Sequence, residues 1–292
     1  MSLSDAALAR LRGLDDRPDF GATRYDLLDE IGRGGMGIVF RALDRELDRD
    51  VAIKVTTWHT ESDAARLRRE ARTLASLEHA GIVPVHDVGR LPDGRVFLVM
   101  GLARGERLDA HARDLPLADR LRVFDRICDT VAFAHARGVI HRDLKPANIM
   151  VGTFGQVLIL DWGLAGAPEP GGTPGYMPPE QGTQKPDARA DVYALGAILT
   201  GLAAEGASHL SPGLRPLRSI VARATAADPG QRYADAAALA ADVRRFVDGQ
   251  AVLAHRETGV ERAVRLARTY RTPLVLVLTY LAVRILLLFW SN

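Results

Sequence analysis

One cysteine, Cys128, stands in a chain of 292 residues. No intramolecular disulfide can form, and no zinc site can be built on cysteine thiolates. Charge of one sign is lacking as well: 38 Lys and Arg face 36 Asp and Glu, a net charge of +2. So even a balance leaves no global field of the sort that gathers nucleic acid. Met1 to Phe20 mixes polar and apolar residues and lacks the unbroken apolar stretch of a signal peptide. Internal repeats are absent too. What remains is 47% hydrophobic and 25% charged residues. That is an ordinary globular profile, in a chain long enough for one large domain or two small ones with a sizeable core.

Five stretches follow one another. Residues 1–24 read as an N-terminal extension with room for a short helix over Asp5 to Leu14. Residues 25–103 carry strand-like runs at Tyr25–Glu30, Gly37–Leu43, Val51–Val55 and Val96–Met100, punctuated by glycine, proline and aspartate. A helical run, Asp63 to Leu77, lies between the third and fourth. Leu67, Leu74 and Leu77 share one of its faces, and Glu70 falls between the first two. Residues 104–248 turn mostly helical, at Leu117–Arg137, Ala188–Leu202, Leu217–Ala226 and Asp235–Val247. Two short strand-like stretches, Ile149–Val151 and Val157–Leu160, and a Gly- and Pro-rich loop from Gly163 to Pro179 interrupt them. Residues 249–272 form a basic linker, and 273–290 are almost wholly apolar. The class is α+β: a small antiparallel sheet with one helix, then a larger helical part.

The polar strings are the ones phosphoryl transfer from ATP needs: a grip on the triphosphate, cations and metal to neutralise it, and a carboxylate beside the acceptor hydroxyl. Gly32, Gly34 and Gly37 have the G-x-G-x-x-G spacing, within Gly32-Arg33-Gly34-Gly35-Met36-Gly37-Ile38-Val39. Glycine lets backbone amides approach phosphate oxygens with no Cβ in the way. A dinucleotide fold uses the same spacing between a strand and a helix, whereas here Ile38–Leu43 continues as a strand, which favours a hairpin lid. Lys54 ends the apolar run Val51-Ala-Ile-Lys54. An isolated lysine there is a solvated edge residue; behind a glycine hairpin it is placed to pair with α- and β-phosphates, with Glu70 as its orienting carboxylate. In His141-Arg-Asp-Leu-Lys-Pro-Ala-Asn148, Asp143 is expected to take or orient the acceptor's proton, Lys145 to neutralise the moving phosphoryl group, and Asn148 to offer an amide oxygen to Mg²⁺. Asp161, in Asp161-Trp162-Gly163, is a hard oxygen ligand for Mg²⁺, although Asp-x-Gly also closes ordinary turns.

In this order the strings resemble the protein-kinase superfamily, and within it the bacterial eukaryotic-like (Hanks-type) serine/threonine kinases, over about Tyr25 to Asp248. The resemblance implies a bilobal kinase fold, with an ATP-clamping lobe over 25–103 and a substrate lobe over 104–248. It implies ATP and Mg²⁺ as cofactors, and proteins bearing Ser or Thr as substrates. It implies adenine between Ile31, Val39 and Ala52 above and Met150 below, Met100 as gatekeeper, and Leu102 to Ala103 as hinge. Thr173, in Gly172-Thr-Pro-Gly-Tyr-Met-Pro-Pro-Glu180, matches the family's substrate-facing loop. Glu180 is expected to pair with Arg232, and Asp191 to brace the catalytic loop. Lys145 and Thr173 both point to Ser/Thr rather than Tyr acceptors.

Departures from the pattern are few. Trp162 replaces the usual phenylalanine, and its indole N–H needs a partner when buried. It is expected to pack under the helix carrying Glu70. The stretch Leu202 to Leu217 is too short for the docking helix usual in the family. Thr173 is the one Ser or Thr between Asp161 and Glu180, so activity without a conventional activation-loop phosphate is expected. A pseudokinase scaffold is the competing reading, against which the full set Lys54, Glu70, Asp143, Asn148 and Asp161 argues.

Leu274 to Trp290 is almost wholly apolar, interrupted by Arg284, and preceded by Arg262, Arg265, Arg268 and Arg271. As a helix it reaches about 26 Å at ~1.5 Å per residue, slightly short of the ~30 Å hydrocarbon core. Its aliphatic and Phe residues contribute roughly 4–7 kcal/mol towards insertion, against about 2.5–3.5 kcal/mol for Arg284. The expectation is a single-pass C-terminal transmembrane helix in the inner membrane, with the kinase domain facing the cytoplasm and no sizeable extracellular sensor. A core helix or a partner-binding helix is the alternative. A homodimer is compatible with this plan.

Overall fold

In the computed structural model, residues 17–34, 37–56, 61–162, 172–180, 187–204, 212–269 and 271–290 are described. The N-terminal helix expected over Asp5 to Leu14, and Gly35 and Met36, lie outside them. Five antiparallel strands form one sheet in the order β1-β2-β3-β5-β4. They are β1 (Tyr25–Gly34), β2 (Gly37–Asp44), β3 (Arg49–Val55), β4 (Val85–Arg90) and β5 (Val96–Gly101). Helix α1 (Glu61–Ala75) runs between β3 and β4.

Period-2 alternation divides the sheet's two faces. Phe97 and Val99 of β5 join Phe40, Ile53 and Val55 in a core on one face, which Phe20 of the N-terminal extension also enters. The rings of Phe20 and Phe97 lie 5.0 Å apart. Val96 and Leu98 join the other core, with Leu67, Ala71 and Leu74 of α1. Lys54 pairs across the ladder with Leu98, on that second side. The apolar stripe is the buried one, although the helix stops at Ala75 rather than Leu77: Leu67 and Leu74 on α1 and Leu77 just beyond it are 3–4% exposed, and Glu70 is 4% exposed.

The second core continues into the larger lobe. Strands β6 (Glu106–Arg107), β7 (Ile149–Val151) and β8 (Val157–Ile159) make a small sheet. Helices α2 (Leu108–Ala112), α3 (Leu117–His135), α4 (Ala188–Ala204), α5 (Arg215–Ala224) and α6 (Ala236–Val247) pack beside it. Leu121, Phe124, Ile127, Cys128, Val131 and Ala134 of α3 are all buried, as their spacing predicts. Asp235 caps α6 by accepting from the Ala238 amide at 2.8 Å.

Two elements follow the second lobe: α7 (Gly259–Thr269) and α8 (Arg271–Trp290). The stretch read as a basic linker therefore contains a helix. Thr258 and Glu261 start it with a reciprocal cap, each side chain accepting from the other's amide, at 2.8 and 3.3 Å. The segment read as a membrane span lies within α8. Among the described residues no helix is long and apolar enough to cross a membrane, and several α8 side chains fall outside that set. The apolar side chains of α8 that are described stand exposed, including Leu276, Leu287 and Trp290.

Candidate active site

The cleft between the two lobes gathers groups from distant parts of the chain. Lys54 on β3 donates to both Glu70 oxygens at 2.8 Å and to Asp161 Oδ1 at 3.0 Å. Burial alone pushes the Lys54 ammonium down, but the facing carboxylates of Glu70 and Asp161 outweigh it and hold the ammonium above its ordinary value. Burial likewise pushes Asp161 up, and Lys54 reverses that, leaving the carboxyl below its usual range. The Asp161 side chain remains 43% exposed, whereas those of Lys54 and Glu70 are 8% and 3% exposed.

Asp143 is fixed from three sides. Thr173 Oγ1 donates to its Oδ1 at 2.7 Å, Lys145 Nζ to its Oδ2 at 2.7 Å, and Asn148 Nδ2 to its backbone carbonyl at 2.9 Å. Lys145 Nζ also donates to Thr173 Oγ1 at 2.7 Å, closing a three-residue ring of hydrogen bonds. The turn that carries Asp143 is strained, because Arg142 has φ 72° in the left-handed region. Asp191, at the start of α4, holds it there. Its Oδ2 accepts the His141 amide and its Oδ1 the Arg142 amide, both at 2.8 Å. His135 Nε2 lies 2.9 Å from the same Oδ2. Burial raises the Asp191 carboxyl, yet His135, His141 and the amides prevail and keep it low. Asp191 thus holds the turn of His141 and Arg142 through both of its oxygens.

Trp162 is 1% exposed, in the core that also holds Leu67, Ala71 and Leu74 of α1. Its indole N–H finds the partner it needs in the Ile159 carbonyl at 3.2 Å. The ring lies 4.7 Å from that of His141, whose Nε2 is 2.9 Å from the Leu160 carbonyl. His141 therefore ties the catalytic loop to the strand leading to Asp161, and Asp161 itself has φ 59°. Glu180 and Arg232 form the expected pair, bidentate at 2.7 and 2.8 Å. Burial raises Glu180, and Arg232 overrides it to leave the carboxyl low.

The glycine hairpin joins β1 and β2. Gly37 has φ 147°, and a Cβ there would lie 2.2 Å from the Val55 carbonyl oxygen, so the fold itself demands glycine. Gly32 and Gly34 are different: a Cβ at Gly32 meets nothing closer than Val39 at 3.8 Å, and one at Gly34 meets nothing within 4 Å. The protein's own contacts do not require those two glycines. The open space that a Cβ would fill suits phosphate oxygens approaching the backbone. Arg33 within the hairpin is paired with Glu30 at 2.9 and 2.8 Å. Ile31 is 47% exposed, Ala52 is buried and opposite Met100, and Met150 is opposite Arg107. Leu102 and Ala103 follow β5, and Ile38 and Val39 pair with Val55 and Lys54.

No group of three or more His, Cys, Asp or Glu among the described residues could hold a metal alone. Asn148 and Asp161 fit a hard cation that takes its remaining ligands from phosphates and water, as Mg²⁺ does. Because Nδ2 of Asn148 donates to Asp143, its Oδ1 is the end left to accept or ligate. A cavity of about 750 Å³ lies elsewhere, beneath α7, lined by Phe246, Val252, His255, Val260 and Val264 among others. No lysine lines it, and two of its carboxylates, Glu261 and Glu257, face the arginines Arg215 and Arg265.

Sequence reasoning assigned no role to His135 or His141, although both act here through Asp191 and Trp162. A histidine opening the catalytic string and another ending α3 were the available signals. Tyr193 was missed as well; the Arg232 guanidinium lies 5.0 Å over its ring.

The family model described as the protein kinase domain matches residues 25–211. A DNA damage-responsive serine/threonine-protein kinase of Deinococcus radiodurans is 42% identical over 61% of this chain and 29% of its own length. The serine/threonine-protein kinase PknB of Mycolicibacterium smegmatis is 36% identical over 86% of this chain and 47% of its own. For PknD of Chlamydia caviae the values are 34%, 77% and 31%. The chain spans less than half the length of each of these relatives.

Proposed function

Because the chain belongs to the protein kinase family, we propose that it is a bacterial serine/threonine kinase, moving the γ-phosphoryl group of ATP onto Ser or Thr hydroxyls of protein substrates. The observation that carries this is the convergence of Lys54, Glu70 and Asp161, with Lys54 Nζ 2.8 Å from Glu70 and 3.0 Å from Asp161. Asp161 lies 107 positions along the chain from Lys54, so nothing local brings them together.

The residues take complementary parts. The hairpin at Gly32, Gly34 and Gly37 covers the triphosphate with backbone amides. Lys54, held straight by Glu70, grips the α- and β-phosphates. Asn148 and Asp161 would hold Mg²⁺, which would supply positive charge to the triphosphate. Asp143 accepts the acceptor hydroxyl's proton, Thr173 fixes the orientation of that carboxylate, and Lys145 neutralises charge growing on the transferred group. Ile31, Val39, Ala52, Met100 and Met150 enclose the base.

Labelled phosphate transfer from Mg-ATP to a generic protein acceptor tests this. Asp143→Asn and Lys54→Met are each expected to lower the rate about 100-fold or more. Equal labelling by wild type and both variants would overturn the assignment.

Attachment to the cytoplasmic membrane belongs to the same proposal. The support is the exposed apolar side chains described on α8 and the arginine-rich approach that precedes it. The full chain is expected in the membrane fraction and resistant to alkaline carbonate. Its release by carbonate would remove the transmembrane assignment.

A further inference from the structure

Between Asp161 and Glu180 the sequence contains one Ser or Thr, Thr173, and the hydroxyl of that residue is already engaged. It donates to Asp143 Oδ1 and accepts from Lys145 Nζ, both at 2.7 Å. Kinases switched on through this segment use a new phosphate to draw the Lys–Glu pair and the metal-binding aspartate into place. Here the unmodified chain has made those contacts. Lys54 reaches both Glu70 oxygens and Asp161, Trp162 is seated with 1% exposure, and Glu180 is clamped by Arg232.

Resting on the kinase reading above, we propose that Thr173 is an inhibitory phosphorylation site, and that the segment needs no activating phosphate. The modification is a second phosphoryl transfer, performed on this chain by a protein kinase using ATP. The bond from Thr173 Oγ1 to Pγ forms and the bond from Pγ to the ADP oxygen breaks. The hydroxyl proton passes to the acting enzyme's carboxylate, and ADP leaves. The product has no O–H to donate to Asp143 Oδ1. It also places a charge of about −1.5 to −2 beside that carboxylate and competes with it for Lys145. The base is then both misoriented and repelled. Thr173 is half-buried, with Pro174 and Gly175 exposed beside it, so an acting enzyme has an edge to approach.

The test uses the full chain, co-expressed with a protein phosphatase and shown by intact mass to carry no phosphate. It is expected to phosphorylate a generic acceptor from the first time point, with no lag. A second preparation carries phosphothreonine at 173, installed by genetic encoding. Its rate is expected to be about 100-fold lower and to return on phosphatase treatment. A dephosphorylated chain that stays silent until preincubated with Mg-ATP would overturn the proposal. So would a phosphothreonine-173 chain at least as fast as the unmodified one. If no preparation exceeds Asp143→Asn, the kinase reading itself fails and this inference falls with it, an outcome separable from the other two.

Discussion

Two bidentate arginine–glutamate pairs invite comparison, one in the catalytic lobe and one at the base of the C-terminal helices. Arg232 and Glu180 meet at 2.7 and 2.8 Å, Arg265 and Glu257 at 2.6 and 2.9 Å. Their local geometry is the same and their settings differ. The Arg232 side chain is 0% exposed, bonds also to the carbonyls of Ala226, Arg189 and Ala227, and reaches a partner 52 positions away. Arg265 leaves 26% of its side chain in water and reaches 8 positions back. In the interior a charge must be paired wherever its partner lies in sequence. Near solvent water stands in, and the pair decides little beyond the local turn.

The largest effect that would sharpen the contrast is the loss of the interior pair. Glu180→Ala leaves the Arg232 charge buried without its carboxylate and is expected to lower unfolding free energy by about 3 kcal/mol or more in urea titrations. Glu257→Ala should leave the main transition where it is. Equal shifts for both would break the comparison.

Next is the brace of the catalytic loop. Asp191→Asn keeps one acceptor oxygen and turns an NH₂ group towards the amides of His141 or Arg142. The left-handed Arg142 then loses part of what holds it, a strain of about 1–3 kcal/mol. Turnover is expected to fall roughly tenfold to a hundredfold, with KM for ATP little changed. A change in KM alone would show that Asp191 acts on the nucleotide rather than on Asp143.

Acid sharpens the contrast more gently. Asp191 and Glu180 are both held below their ordinary values. Their contribution to stability is complete above the unfolded-state carboxylate range and is lost as pH falls through the lower folded values. Stability should therefore be level near neutrality and decline below roughly pH 4. The decline should be shallower in Glu180→Ala, whose pair is already gone. An unchanged acid slope in that variant would remove the pair from the explanation.

Chemistry that requires a residue type was readable in the sequence; geometry imposed by a neighbour was not. Asp143, Lys145 and Asn148 sit in one string because their side chains must reach one site, and Glu70 was found because it interrupts an apolar helix face. Strand β4 escaped notice. Its Val85-His-Asp-Val-Gly-Arg90 alternates poorly, and it is an edge strand recruited by the ladder of β5. Gly89 shows why propensity misled: a Cβ there would lie 2.2 Å from the Phe97 ring, so the glycine serves a packing contact. The left-handed Arg142 and Asp161 carry no sequence mark, because the groups that hold them come from elsewhere in the chain. Helix α7 did carry one. Thr258-x-x-Glu261 is a capping pattern set within an arginine-rich stretch.

That cap is where the smallest effect is expected. Glu261 is pushed down to about 2, first by the Thr258 amide and then by His255. His255 in turn reaches Ser219 on α5 at 3.0 Å, so polar contacts tie the start of α7 to the larger lobe. Thr258→Ala removes the side-chain half of the cap and is expected to cost about 1 kcal/mol in local stability. Amide exchange at Glu261, whose N–H bonds to Thr258 Oγ1, should quicken by about fivefold to tenfold. Exchange in the α3 and α4 amides, and the rate of phosphoryl transfer, should stay as they are. If the Asp143 site slows together with the α7 amides, the C-terminal helices and the cleft form one cooperative unit. The contrast between an interior that dictates its pairs and a margin that does not would then hold only for local geometry.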